Sequence, residues 1–332
     1  MTVQLTVIGL NQVGVSIGLA IKAGNHPILR IGSDIDITTE QKALKLGAFD
    51  RVVHNLPSAV EQADIVVLSL PVDELRKTLE IIAPTLKPGV VILDTSPLKS
   101  AMQSWASSLL PEERYLLSFY PNINPEYLEE RGHGLEQAHA DLFHNSLFLI
   151  GADEKTHPEA VKLAADFASL LGAKPYFSDF LEAEGLTALI HHLPQVSAAA
   201  LFHAIKSQPG WLEAQKIAGA AYLGALLPLE NLDEEKEFGE ALLLNSQNSV
   251  RALDAFITEV QALREMIARQ DAEALKSAFT AAVEGRNAWL KNRQSQSWEK
   301  STAPELPTTG QWLGRLIGVS GKSLRDLDKP KK

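Results

Sequence analysis

The first 180 residues alternate two patterns: short, fully apolar runs, and longer stretches in which apolar positions recur every three or four residues. Residues 3–9 (VQLTVIG) form the first run, a buried strand closed by glycine. A helix is predicted over 13–23, and a second strand over 28–34 (ILRIGSD). Residues 38–46 read as a helix. The run 63–70 (ADIVVLSL) reads as a strand stopped by Pro71. A helix over 73–83 ends before Pro84, and 89–94 (GVVILD) is the next strand. Residues 147–150 and 174–177 read as two later strands. Strands separated by helices of about 10–15 residues require right-handed crossovers, and therefore a parallel sheet.

The pattern changes near residue 180. From there to about 290 strand signals are almost absent. Residues 182–206 read as one long helix interrupted by Pro194, whose missing donor predicts a kink. Leu253, Phe256, Ile257, Val260, Leu263 and Ile267 have helical spacing. Pro228–Gly239 reads as an acidic exposed turn, and 295–310 as a linker rich in Ser, Thr and Pro.

Composition narrows the chemistry. The chain has 332 residues, 45% hydrophobic and 22% charged, which excludes global disorder. It has no cysteine, which removes disulfides, thiolate metal sites and cysteine nucleophiles. No apolar run reaches the ~18 residues that span a bilayer. The N-terminus lacks the basic flank and small-residue cleavage site of a secretory signal, so a cytoplasmic protein is expected. The net charge of −10 is uneven: residues 286–332 carry +6, leaving −16 on residues 1–285. An acidic body repels phosphates and argues against a nucleic-acid partner. The basic tail reads as a solvated terminus.

The first strand runs into Gly9-Leu10-Asn11-Gln12-Val13-Gly14, followed by a helix. This is the dinucleotide fingerprint in its expected context. Gly9 makes the turn, Gly14 lets helix and sheet approach, and backbone N–H groups face a pyrophosphate. Asn11 replaces the middle glycine, adding a side chain where the backbone should approach phosphate. Asp34, twenty residues after Gly14, is placed to accept hydrogen bonds from the adenosine ribose. Its neighbour Ile35 offers no cation for a 2′-phosphate, so NAD is expected over NADP. The fold class expected is α/β, a Rossmann-type doubly wound sheet.

Other candidates are sparser. Ser96 lies just past a strand end, where ligands bind in such sheets, or it caps a helix that opens at 96–99. In that reading Lys99 either faces the site or is solvated. His191 and His192 are adjacent on a helix, so only one faces a cleft. His133, His139 and His144 lack an accompanying ligand set, and no metal is expected. Trp211, Trp289, Trp298 and Trp312 read as packing or interface anchors.

Several blocks together resemble the prephenate/arogenate dehydrogenase family, over roughly residues 3–290. They are VIGLNQVGVSIGLAIK, ADIVVLSLPV and VVILDTSPLK; Gly134, Ala138, Asp141, Leu142 and Phe143; then LGAKPYF, IHHLPQ and Asn245. Ser96 and Lys99 match a Ser-x-x-Lys element of that family. The resemblance implies residues 1–178 as a nucleotide-binding domain, with Leu70, Pro71 and Ser96 among the cofactor-binding residues. It implies residues 179–292 as an all-helical dimerisation domain, with 293–332 a basic tail. It also implies a homodimer that oxidatively decarboxylates prephenate, arogenate or a related acid. Tyr120, in Phe119–Asn124, stands where the family has a His that contacts the reacting hydroxyl. His192 fits the first His of the family's His-Leu-Pro-His element, and Gln195 replaces the second. Ala225 falls near the place of a carboxylate-binding Arg, and Ala183-Glu184 near a His-Asp pair. The residues expected to serve chemistry are Tyr120, His192 and Ser96, with Gln195, Asn122 and Lys99 toward substrate. The competing reading is a non-catalytic relative that binds a dinucleotide or metabolite. A β-hydroxyacid dehydrogenase is disfavoured because its glycine-rich helix with a catalytic Lys is absent.

Overall fold

The computed structural model describes residues 2–130, 132, 134–152, 156–230, 232 and 235–296. The first half winds β1 (Val3–Ile8), α1 (Gln12–Ala23), β2 (Ile28–Ser33), α2 (Ile37–Lys45), β3 (Arg51–Val52), α3 (Leu56–Val60), β4 (Ile65–Leu68), α4 (Val72–Ile82), β5 (Val91–Asp94) and α5 (Ser100–Leu109). It continues through β6 (Tyr115–Pro121), β7 (Leu147–Gly151), α6 (Pro158–Leu170) and β8 (Lys174–Phe177). These eight strands form one sheet in the order β3-β2-β1-β4-β5-β6-β7-β8.

The sheet is parallel except between β6 and β7, where Tyr120 pairs with Leu149 antiparallel. A wholly parallel sheet was expected. The reversal has a simple cause: the described residues of 122–146 form two short 3₁₀ turns and no crossover helix, so the chain doubles back. Strands β3 and β6 escape the sequence reading. The first has two residues, and the second is broken by Ser118 and closed by Pro121.

Strand alternation divides the core between two faces. Val67 and Leu93 face α1 with Ile17 and Ile21, whereas Val66 and Ile92 face α4 with Leu75, Leu79 and Ile82. Both faces are buried, as the continuous apolar runs require.

After Phe177 every described element is helical. They are α7 (Phe180–Thr187), α8 (Leu193–Lys206), α9 (Trp211–Ile217), α10 (Ala220–Leu226), α11 (Glu235–Leu244), α12 (Ser246–Ala268) and α13 (Ala272–Ser295). A π turn over Ala188–His192 joins α7 to α8, directly before Pro194. The predicted kink is thus a π turn that absorbs one extra residue. The expected acidic turn is shorter than 228–239, since α11 begins at Glu235. Helix α13 runs to Ser295 and buries Arg293, past the expected boundary at 292. The remaining tail, with Trp298 and Trp312, lies outside the described residues, as does His133. Among the described residues no helix is long and apolar enough to cross a membrane.

Candidate active site

Two groups of side chains meet the carboxyl ends of the central strands. The first surrounds the glycine turn. Gly9 has φ +90°, and a Cβ there would lie 2.0 Å from the Ser69 carbonyl oxygen. A Cβ on Gly14 would lie 2.1 Å from the Gly9 carbonyl oxygen. Both positions therefore require glycine. Asn11 sits at φ −76°, not in the left-handed region. Its Oδ1 accepts from Gly14 N at 3.1 Å, and its Nδ2 donates to the Ser69 carbonyl at 3.0 Å. The side chain caps α1 and is held down against β4, so it need not block the approach of phosphate. The first-turn N–H groups of Gln12 and Val13 lack intrahelical acceptors, as in every helix. The Gln12 amide donates to the Gln137 carbonyl at 2.9 Å, fastening the 122–146 segment over α1.

Asp34 follows β2. Its Oδ2 accepts Leu10 N at 2.7 Å, and its Oδ1 accepts Asp36 N at 2.9 Å. The carboxylate is thereby fixed beside the turn with lone pairs to spare. A cavity of about 550 Å³ opens there, lined among others by Gly9, Leu10, Asn11, Asp34, Leu70 and Pro71. His54 and Lys77 also line it, a pair the sequence reading did not connect with Asp34. These features fit a dinucleotide: a glycine cradle, a helix N-terminus and an anchored ribose acceptor.

The second group is a buried charged cluster joining the sheet to α7. Asp94 ends β5. Ser96 donates from N to Asp94 Oδ1 at 3.0 Å and from Oγ to Oδ2 at 2.8 Å. Ser96 does not open a helix, since α5 begins at Ser100, and its hydroxyl proton is already committed to Asp94. Lys99 is fully buried, which overturns the solvated reading. Its Nζ donates to the Ser96 carbonyl. Burial pulls Lys99 down to about 8, opposed by the charges of Asp94 and Glu184. Burial pushes Asp94 up, against Lys99 and the Ser96 bonds. Glu184 caps the start of α5, accepting Ser100 N at 2.7 Å and Ser100 Oγ at 2.8 Å. Asn245 donates to the Glu184 carbonyl at 3.0 Å, carrying the cluster on to α12.

Tyr120 lies near the end of β6, not beyond it, with Lys99 Nζ 4.9 Å from its ring centroid. Burial pushes its phenol above the ordinary tyrosine value. On the π turn, His191 is half-buried while His192 is 1% exposed. Burial, then the charge of Lys99, lowers His191, which places it in the same electrostatic neighbourhood. His192 Nδ1 lies 3.1 Å from Ser249 Oγ on α12, and burial pulls the ring down to about 4. Its Nε2 is buried without a partner among the described residues, as is Gln195 Oε1 three positions on. Both atoms, three positions apart on one helix face, are open to a water or a ligand.

Asn122 is drawn toward the helical domain, its Oδ1 accepting from Arg293 Nη2 at 2.6 Å. The same nitrogen donates to the Ile123 carbonyl. Sequence reasoning missed Arg293, which lies 171 residues away and carries no motif.

Comparison with known proteins agrees with this arrangement. The model of the prephenate dehydrogenase nucleotide-binding domain matches residues 17–177, and that of its dimerisation domain matches residues 182–281. The chain belongs to the prephenate dehydrogenase family. Prephenate dehydrogenase of Bacillus subtilis is 28% identical over 284 residues, covering 84% of this chain and 74% of that protein. Cyclohexadienyl dehydrogenase of Zymomonas mobilis is 25% identical over 285 residues, covering 85% and 94%. A solved prephenate dehydrogenase from A. aeolicus, in complex with hydroxyphenyl propionate and NAD+, superposes with TM-score 0.75 at 18% identity. It covers 87% of this chain and 98% of its own. Members of the prephenate dehydrogenase family are oxidoreductases, which supports the enzyme reading over the non-catalytic one. The matched span begins inside α1, so the glycine turn rests on its own geometry.

Proposed function

We propose that the chain is an NAD-dependent dehydrogenase of prephenate, arogenate or a closely related cyclohexadienol acid, working as a cytoplasmic homodimer. One observation carries the reading: a dinucleotide turn after β1 and the buried Asp94–Ser96–Lys99 cluster after β5 share the carboxyl edge of one sheet. Gly9, Gly14 and the start of α1 would hold the pyrophosphate, and Asp34 the ribose. NAD supplies the hydride acceptor for the ring carbon bearing the hydroxyl.

The protein must then orient that hydroxyl and take its proton, after which aromatisation drives loss of carbon dioxide. Tyr120, a neutral phenol at pH 7, offers the hydroxyl a hydrogen-bond partner. His192, held near 4, is a neutral imidazole whose Nε2 stays open for a ligand. A base with so low a pKa captures a proton poorly, and a mismatched base forfeits part of the ~10²–10⁴-fold that acid–base catalysis supplies. Slow turnover follows.

Product identification tests the proposal. Incubation with NAD and either acid should yield NADH, carbon dioxide and a hydroxyphenyl product. Failure with both acids overturns it. Calorimetry should show tighter binding of NAD than NADP, with Asp34→Asn narrowing the gap, because a 2′-phosphate would face a fixed carboxylate. Equal affinities in the wild-type protein would refute the role given to Asp34.

A further inference from the structure

Lys99 is among the largest fully buried side chains in the described structure, and the glycine turn makes no use of it. Asp94 approaches from β5, Glu184 from α7, His191 from the π turn and the ring of Tyr120 from β6. With no exposed surface, Lys99 cannot touch a substrate as it stands. Its ammonium lies over the face of Tyr120, within the distance at which a cation is held by a ring quadrupole, an attraction that strengthens away from water. The ammonium is itself pinned by the Ser96 carbonyl. Asp94, bonded twice to Ser96, fixes that turn.

We propose that Lys99 is a positioning residue that acts through Tyr120, clamping its ring from behind so that the phenol is presented to the reacting hydroxyl. The assignment rests on the dehydrogenase reading above. It gives the Asp94–Ser96–Lys99 turn a purpose: it is the back wall of the position where a tyrosine stands in place of the family's histidine. A tyrosine oxygen sits farther from the backbone than an imidazole nitrogen, so a small tilt of the ring displaces it more. A small misplacement of a catalytic group is costly, and a cation under the ring limits the tilt.

The test is a double-mutant cycle combined with a spectroscopic probe. Lys99→Met should lower kcat about 10-fold or more with KM changed less than about threefold. In a Tyr120→Phe background the same change should cost less than about threefold. Lys99→Arg should retain most of the activity because the cation remains. Equal losses in both backgrounds would overturn the proposal, since Lys99 would then act independently of Tyr120. Should Lys99→Met not fold, Lys99→Gln keeps a donor for the Ser96 carbonyl while removing the charge. The probe is fluorotyrosine at position 120, read by fluorine NMR without substrate. Its resonance should titrate with the Lys99 midpoint, about 8, and that step should vanish in the uncharged variants. A resonance indifferent to Lys99 overturns the proposal whatever the activity. A Lys99-linked resonance in a protein inactive on both acids would sink the dehydrogenase reading and leave the clamp standing.

Discussion

His192 shows how one residue links site and stability. Buried beside Ser249, it is neutral in the folded protein down to about pH 4, whereas in the unfolded chain it protonates near the ordinary histidine value of 6.5. Below about pH 6.5 the unfolded state therefore binds the extra proton, and stability falls as pH drops toward 4. The full shift corresponds to roughly 3 kcal/mol. Urea titrations at pH 7 and pH 4.5 should show the wild type losing more stability than His192→Gln over that interval. Equal losses would mean the ring is not buried as described. At this scale the sequence was partly legible. Gly9, Gly14 and Asp34 announce themselves because their spacing follows from how a strand, a turn and a helix must meet. Asn11 was harder to read, because nothing local reveals that its amide would bond Ser69, 58 residues away. The same holds for Arg293 and for the contact of Lys99 with Tyr120, which tertiary packing alone creates.

Helices and strands with strong periodicity were readable: α1, α2 and α4 lie within a few residues of expectation, as do β1, β2, β4 and β5, and α12 contains the 253–267 stretch. Elements whose existence depends on neighbours were not. Strand β6 becomes a strand by pairing with β5 on one side and β7 on the other. The π turn before Pro194 illustrates the same limit, since proline predicts an interruption but not its form. The glycine turn yields the sharpest prediction at this scale. Gly9→Ala puts a methyl group 2.0 Å from a backbone oxygen at φ +90°, and neither atom belongs to a flexible side chain. The loop must shift, so NAD affinity should fall at least about 10-fold, with a loss of roughly 1–3 kcal/mol in stability. Calorimetry and thermal melting check both. An alanine variant that binds NAD normally would remove the geometric basis for the cofactor site.

The whole molecule is incomplete as a single chain. Phe256, Ile257 and Val260 on α12 and Phe279, Val283 and Trp289 on α13 are all exposed, with Phe279 at 60% and Trp289 at 50%. Helices with apolar positions at this spacing bury them against something. In a family whose second domain is a dimerisation domain, a second copy supplies the cover. Light scattering at micromolar concentration should give twice the monomer mass of 36.2 kDa, and a monomer would contradict the account. The point at issue is whether this scaffold transfers hydride with Tyr120 and Gln195 at the proposed substrate site. The most direct test is the steady-state rate of NAD reduction by the purified dimer with prephenate and with arogenate. Acid-dependent NADH formation is expected with at least one of them, at a turnover below the usual range of about 1–10³ s⁻¹. No NADH with either acid would contradict the assignment. Turnover well inside that range would contradict the weight placed on Tyr120 and Gln195.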